Sequence, residues 1–594
     1  MAKSDIAWDL SEVFPSITDF SVQKAIEDVT EIAEKFANKY KDKIRDFSAE
    51  ELLACIQEYE AYVARLYDVA LFAGLSFSAN MTLPETQSLN DKVNKLRAKL
   101  GKLLAFFDLE VGNLVYKNPR LVSDSSLANY KHFLERLRRE VPHQLSEVEE
   151  KLIIEKDQFG VQAWEELQTK WLNTRMFEVQ VEGVKKTLPF GEAYGLLPHP
   201  DRATRESANK AIFGLVGKDG EIFSSAFRNI CNDWLSVCER RKYDSPVHAS
   251  LIANDVDQKT LDNLLKAIED NVGLYQRYLK LKAKIMKMPK LGCHDVVAPL
   301  PDAPDIKFGF DRAKDLVIRA YSKFDEDYAF AVRDMFARRH IDSSPRFGKQ
   351  NGAFCAGWYN GKSAFMLQSF NGRLNDIYTL AHELGHATHD YYFTRNQTIM
   401  NGRIPMVVAE TASIFGELLL TDLLISEAKS NMEKKVILCK VLDGAGRVIF
   451  LVTARAWFEQ RVYDAIKKGE YLDYKTASEY WVAARNKAYG DTVDWFSELE
   501  AEWGIAPHYF MANFRFYNYP YVYAQLFVYA LYQKYREEGK AFVPKMKQIL
   551  SAGSSLSPVE IGKIVGFDVG SVDFWNIGMK QYEYFLKELE KIVK

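Results

Sequence analysis

One stretch restricts the fold more than any other: Thr379-Leu380-Ala381-His382-Glu383-Leu384-Gly385-His386-Ala387-Thr388-His389. It contains H-E-x-x-H, two histidines four apart. On a helix such residues lie one above the other on the same face, because 3.6 residues make a turn. Two imidazoles so placed can reach one tetrahedral Zn²⁺, and the glutamate between them can serve a water at the open position. The flanks fit a helix. Asn375 and Asp376 come after an Asn371-Gly372 turn and are good helix starters. Ile377, Leu380, Leu384, Ala387 and Tyr391 then recur at spacings of three and four, an apolar stripe facing away from His382 and His386.

A catalytic zinc has three protein ligands and one exchangeable position. His389 lies almost two turns beyond His382, about 10 Å in rise, too far to share the ion. Glu410 is the better third ligand. Pro405 suits a helix start, Met406 to Glu427 has a helical pattern, and a chain reversal near Asn401-Gly402 returns the carboxylate to the histidines. Within the apolar run Val407, Val408, Ala409, Ala412 and Ile414, a carboxylate is expected to be buried and therefore paired. Ser413 and Glu417 share its face and can orient the ligands. Zinc lowers the pKa of water from about 15.7 toward about 7, and Glu383 is the expected general base. The developing oxyanion needs a hydrogen-bond donor. A candidate source is His508 with the phenols of Tyr517, Tyr519, Tyr521 and Tyr523, although spacing does not decide which tyrosine acts.

The rest of the chain sets limits. Its 594 residues exceed what one core supports, so two or more subdomains are expected. A net charge of −3 gives no reason to expect nucleic acid or an anionic membrane as partner. Six scattered cysteines without a C-x-x-C pair fit a reducing compartment. Met1 to Ile6 lacks a signal-peptide apolar run, and the apolar stretch near Leu418–Ile425 is interrupted by Asp422 and too short for a bilayer. A cytoplasmic protein is expected. No pattern encodes an oligomeric state.

In chain order, Trp8 to Pro15 reads as a tucked-in segment, with Ser16 to Asp19 capping the first helix. Residues to about 175 are helical, with long amphipathic runs over Glu50–Phe77 and Leu83–Leu109 that suggest antiparallel pairing. Phe177 to Gly183 predicts a hairpin, and helices resume near Asp201. The run Lys280, Lys282, Lys284, Lys287, Lys290 reads as a solvated helix face. Pro301 to Asp305 is expected to be a loop, with a helix beginning at about Phe310. Ser363 to Phe370 reads as an extended segment, either an edge for peptide pairing or an ordinary buried strand. The expected blocks are an N-terminal helical lobe at 1–200, a connecting region at 201–345 and a catalytic lobe at 346–594.

The sequence resembles the oligoendopeptidase F group of the thimet-oligopeptidase-like zinc peptidases. The matching pieces are Trp8-Asp9-Leu10-Ser11, Leu380 to His389, Ala409-Glu410-Thr411-Ala412-Ser413, Pro507-His508-Tyr509-Phe510 and Phe516-Tyr517-Asn518-Tyr519, spread over most of the chain. The resemblance implies a mainly α, two-lobed, zincin-like molecule with a deep central channel and a small β-sheet by the active site. It implies one Zn²⁺ per chain on His382, His386 and Glu410, with Glu383 as base. His508 and either Tyr517 or Tyr519 would meet the substrate or its oxyanion. The substrates implied are unfolded oligopeptides, cut internally. A zinc carboxypeptidase is the alternative. It would need a cation for the substrate's carboxylate, for which Arg346, Lys349 and Arg373 are candidates. The presence of Glu383 beside both histidines argues against a scaffold without activity.

Overall fold

The structure is a computed structural model describing residues 6–301, 303 and 307–593. Residues 1–5 and most of the loop expected at Pro301–Asp305 lie outside the described residues. The fold is mainly α, as the periodicity requires, and among the described residues strands occur only in two two-stranded sheets and one three-stranded sheet. No described helix is long and apolar enough to cross a membrane.

The chain divides into two compact units that interleave in sequence. Met1–Val141, Asp305–Ser426 and Lys534–Asp568 make the first; Pro142–Pro304, Glu427–Gln533 and Val569–Lys594 make the second. The consecutive blocks 1–200, 201–345 and 346–594 do not follow this division.

In the first unit, Asp19 caps the helix Phe20–Tyr40 by accepting from the Ser21 N–H. Ser48 and Glu51 form a reciprocal cap at the start of the helix Ala49–Ala79. That helix packs on Pro84–Leu104, and Leu52, Ile56, Phe107, Val111 and Leu134 are buried among them. The N-terminal segment is tucked in through Trp8, which packs with Leu75, Phe365 and Leu367.

The three-stranded sheet of this unit decides between the two readings of Ser363–Phe370. Ser363–Leu367 is its central strand, paired antiparallel with Phe354–Trp358 and parallel with Ile341–Asp342, and all five of its residues are buried. Both sides of Ser363–Leu367 already carry a neighbour, so a peptide cannot add there. An outer position belongs to Phe354–Trp358.

In the second unit, Met176–Val181 and Val184–Pro189 pair as the expected hairpin. Glu182 (φ 50°) and Gly183 (φ 83°) both take the left-handed conformation that matches strand twist in a two-residue turn. Asp201 caps the helix Arg202–Lys218. Lys280, Lys284 and Lys287 are exposed, but Lys282 is not part of a solvated face. It is fully buried, 2.7 Å from Asp443 Oδ2, and donates to the Val296 carbonyl at 2.7 Å. A charge taken out of water persists with such partners.

Candidate metal centre

The motif helix runs Leu374–Asn396. Its start is fixed by Asp376 rather than Asn375: Asp376 Oδ2 accepts from the Asn371 N–H at 2.8 Å and the Arg373 N–H at 2.9 Å. Ile377, Leu380, Ala381 and Leu384 are fully buried, against the three-stranded sheet and the helices Phe310–Phe324, Glu326–Ala337 and Val543–Ser551. Tyr321 ties the middle of the helix down by donating to the Ala381 carbonyl at 2.6 Å.

The chain turns back through Ile399–Gly402, then forms Met406–Ala409 and Thr411–Glu427. Glu410 occupies the junction between these two helices (φ −84°, ψ 8°). The break is what differs from the continuous helix expected over Met406–Glu427. Two glycines bring the second of these helices against the motif helix. A Cβ on Gly385 would sit 2.5 Å from the Ala412 carbonyl oxygen, and one on Gly416 would sit 3.1 Å from the Ala381 carbonyl oxygen. Only residues without side chains permit so close a crossing.

The result is a convergence of donors. His382 Nε2 and His386 Nε2 lie 3.3 Å and 3.4 Å from Glu410 Oε2, with the two imidazole planes at 82°. The donor atoms of His382, His386 and Glu410 all fall within 4.8 Å of one another. Two donors each about 2.0–2.1 Å from a tetrahedral ion stand about 3.3–3.4 Å apart. A direct charged hydrogen bond would be shorter, about 2.7–2.9 Å. The set therefore fits one shared divalent ion.

Supporting groups orient His382 and Glu410. His382 Nδ1 donates to Glu417 Oε1 at 2.7 Å, which leaves Nε2 with its lone pair toward the cluster. The Ser413 hydroxyl donates to Glu410 Oε2 at 2.5 Å. Burial opposes ionisation of Glu410, yet the two imidazoles outweigh it and hold the carboxyl well below the usual range. Burial also opposes protonation of His382, but Glu410 and Glu417 push it up. Both directions say that the cluster favours positive charge at its centre.

Glu383 is 8% exposed. Burial raises its carboxyl, with His382 and His386 pulling the other way. It lines, with His386, His389 and Asp390, a cavity of about 410 Å³ whose opposite wall is the strand Phe354–Trp358. His389 is buried and contributes no ligand atom to the cluster; burial pushes its imidazole down to about 4.

His508, Tyr517 and Tyr519 belong to the second unit. His508 stacks on Tyr517 with ring centres 5.5 Å apart, and both are half-buried. Tyr519 is different. It is 2% exposed, and its hydroxyl donates to the Ser250 carbonyl at 3.1 Å. One residue that sequence reasoning missed shapes this loop. Glu459, 1% exposed, accepts from the Phe516 N–H at 2.8 Å and from Asn518 Nδ2 at 3.1 Å. It holds Phe516 in the left-handed region, φ 54°. Burial pushes its carboxyl up to about 7, the two hydrogen bonds acting against it. A lone carboxylate among the periodic apolar positions Phe458, Val462 and Tyr463 was the available signal.

With this geometry in view, the comparisons with known proteins are decisive. Residues 196–581 match the model of Peptidase family M3, well over half the chain. The chain belongs to peptidase family M3. It is accordingly a metalloendopeptidase. Residues 120–174 of this M3 peptidase match a second model, Oligopeptidase F. It is 26% identical over 596 residues to oligopeptidase PepF of Bacillus subtilis, covering 100% of this chain and 88% of the relative. It is 28% identical over 553 residues to an oligoendopeptidase F homolog of Lactococcus lactis, covering 92% of this chain and 91% of the relative. Among solved structures, a Chlamydophila abortus protein superposes with TM-score 0.88 at 21% identity, covering 99% and 98% of the two chains. The oligoendopeptidase-F of Enterococcus faecium gives TM-score 0.69 at 22% identity, covering 96% and 99%. These two likenesses show the fold.

Proposed function

We propose that this M3 peptidase hydrolyses internal bonds of short unfolded oligopeptides, using one zinc ion held by His382, His386 and Glu410 and Glu383 as general base. The observation that carries the reading is the spacing of three donor atoms beside a buried carboxylate. The names of the Bacillus subtilis and Lactococcus lactis relatives support the substrate class.

Zinc held by His382, His386 and Glu410 would supply Lewis acidity there, of the kind that lowers the pKa of water toward about 7. Glu383, its carboxyl raised by burial, accepts the proton of the attacking water and delivers it to the departing amine. Glu417 fixes the tautomer of His382, and Ser413 fixes the carboxylate of Glu410. In the second unit, His508 and Tyr517 are the side chains we assign to substrate contact, since the Tyr519 hydroxyl is committed to Ser250. The six cysteines are all free, five of them buried, which supports a cytoplasmic setting.

The carboxypeptidase alternative loses two of its three candidate cations, leaving the exposed Arg373. Arg346 holds Asp342 through Nη1 at 2.6 Å and Nη2 at 2.7 Å, and Lys349 Nζ lies 2.7 Å from the same carboxylate. A peptide blocked at both ends is therefore expected to be cut internally. The variant Glu383→Gln is expected to keep one zinc per chain and lose hydrolysis by about 10²–10⁴-fold or more, whereas Glu410→Ala should lose the metal. Normal cleavage by Glu383→Gln would remove the base assignment, and full zinc occupancy in Glu410→Ala would remove Glu410 from the ligands.

A further inference from the structure

Asp390 stands on the motif helix four residues after His386, on the same face and about 6 Å further along. It lines the cavity that Glu383 and His386 line. Its carboxylate is seated against the strand opposite, at Gly357: a Cβ there would come within 2.8 Å of Asp390 Oδ2. The Gly357 carbonyl is itself taken by the Tyr67 hydroxyl at 2.9 Å.

What this carboxylate lacks, among the described residues, is a cation. Two fully buried aspartates are matched: Asp295 has Arg202 at 2.9 Å and Arg205 at 2.7 Å, and Asp342 has Arg346 at 2.6 Å and Lys349 at 2.7 Å. Among the described residues no ion pair or hydrogen bond reaches the Asp390 carboxylate. Burial pushes it up to about 7, opposed only by the charge of His386. A half-buried carboxylate without a partner among the described residues, lining a cavity one helical turn from the ligands of a hydrolytic site, is a group waiting for charge from outside.

We propose that Asp390 forms the base of a subsite for a lysine or arginine side chain on the substrate residue flanking the scissile bond. This rests on the peptidase reading above. The ammonium or guanidinium enters the cavity beside Glu383 and His386 and pairs with Asp390 against the Gly357 backbone.

The test uses the zinc-loaded protein and peptides capped at both ends, identical except for arginine, lysine, citrulline or leucine at one position. Mass spectrometry of the products locates the cut. The arginine and lysine peptides are expected to exceed the citrulline peptide by at least about tenfold in kcat/KM. Asp390→Asn should bring that ratio close to one, and Asp390→Glu should retain part of it. Dissociation constants of the same peptides for Glu383→Gln provide a second readout, expected to show the same order. A wild-type ratio near one in both kcat/KM and Kd overturns the subsite while leaving the peptidase reading intact. A preference that persists in Asp390→Asn, or one for a free amino terminus over a side-chain cation, also overturns it. If no peptide is hydrolysed, the peptidase reading fails, and the Kd ratio still decides the role of Asp390.

Discussion

Replacing Gly385 by alanine tests the packing that assembles the proposed metal centre without touching His382, His386 or Glu410. The added Cβ would lie 2.5 Å from the Ala412 carbonyl oxygen, 2.5 Å from Ser413 Cα and 2.8 Å from the Ala412 carbonyl carbon. All three are backbone atoms, so no rotamer change relieves the clash. Ordinary contact begins at 3.4 Å, so the helix Thr411–Glu427 must retreat by roughly 1 Å from the motif helix. Overpacking of this kind costs about 1–3 kcal/mol, and the better helix propensity of alanine offsets up to about 1 kcal/mol of it. Stability should therefore change modestly. Metal binding should change more. Glu410 immediately precedes the displaced helix, and Glu417 and Ser413 ride on it. A displacement near 1 Å far exceeds the tolerance of about 0.2 Å for metal–ligand distances, and disturbing orienting groups alone costs about 10–100-fold in affinity. Zinc affinity measured against a chelating dye should fall by about 100-fold, while urea unfolding in excess chelator reports the change in the protein without metal. A folded Gly385→Ala protein with wild-type zinc affinity would refute the claim that this crossing sets the site.

Two more outcomes come from the geometry. Glu417→Gln removes the charge that holds His382 Nδ1–H and should weaken zinc by about 10–100-fold; unchanged affinity would mean that Glu417 does not set the tautomer. His340 is fully buried, stacks on Phe365 at 4.0 Å and donates from Nδ1 to the Ala364 carbonyl at 3.0 Å. Burial pushes its imidazole from the ordinary 6.5 down to about 4. Between those values the unfolded chain takes up a proton that the native protein refuses, so stability falls as pH drops from 6.5 toward 4, by up to about 3 kcal/mol. Urea midpoints of His340→Leu and the wild-type protein should converge over that window as the pH falls; parallel curves would show that His340 does not carry the dependence.

Local sequence determined the motif helix and the burial of its apolar stripe. Each depends on residues a few positions apart, and the helical period converts such spacing directly into a shared face. The Val181–Val184 turn was equally legible, because Glu182-Gly183 admits the left-handed backbone that a tight hairpin needs. Tertiary structure decided whatever depended on a distant partner. Lys282 is buried because Asp443 lies opposite it, the Tyr519 hydroxyl is engaged because the Ser250 carbonyl accepts its hydrogen bond, and Ser363–Leu367 is central because Ile341–Asp342 and Phe354–Trp358 flank it. The interleaving of the two units belongs to the same class, since periodicity along a chain carries no information about which helices pack together. Asp390 makes the division plainest: spacing places it one turn beyond His386, but only the assembled cavity shows that no cation among the described residues meets it.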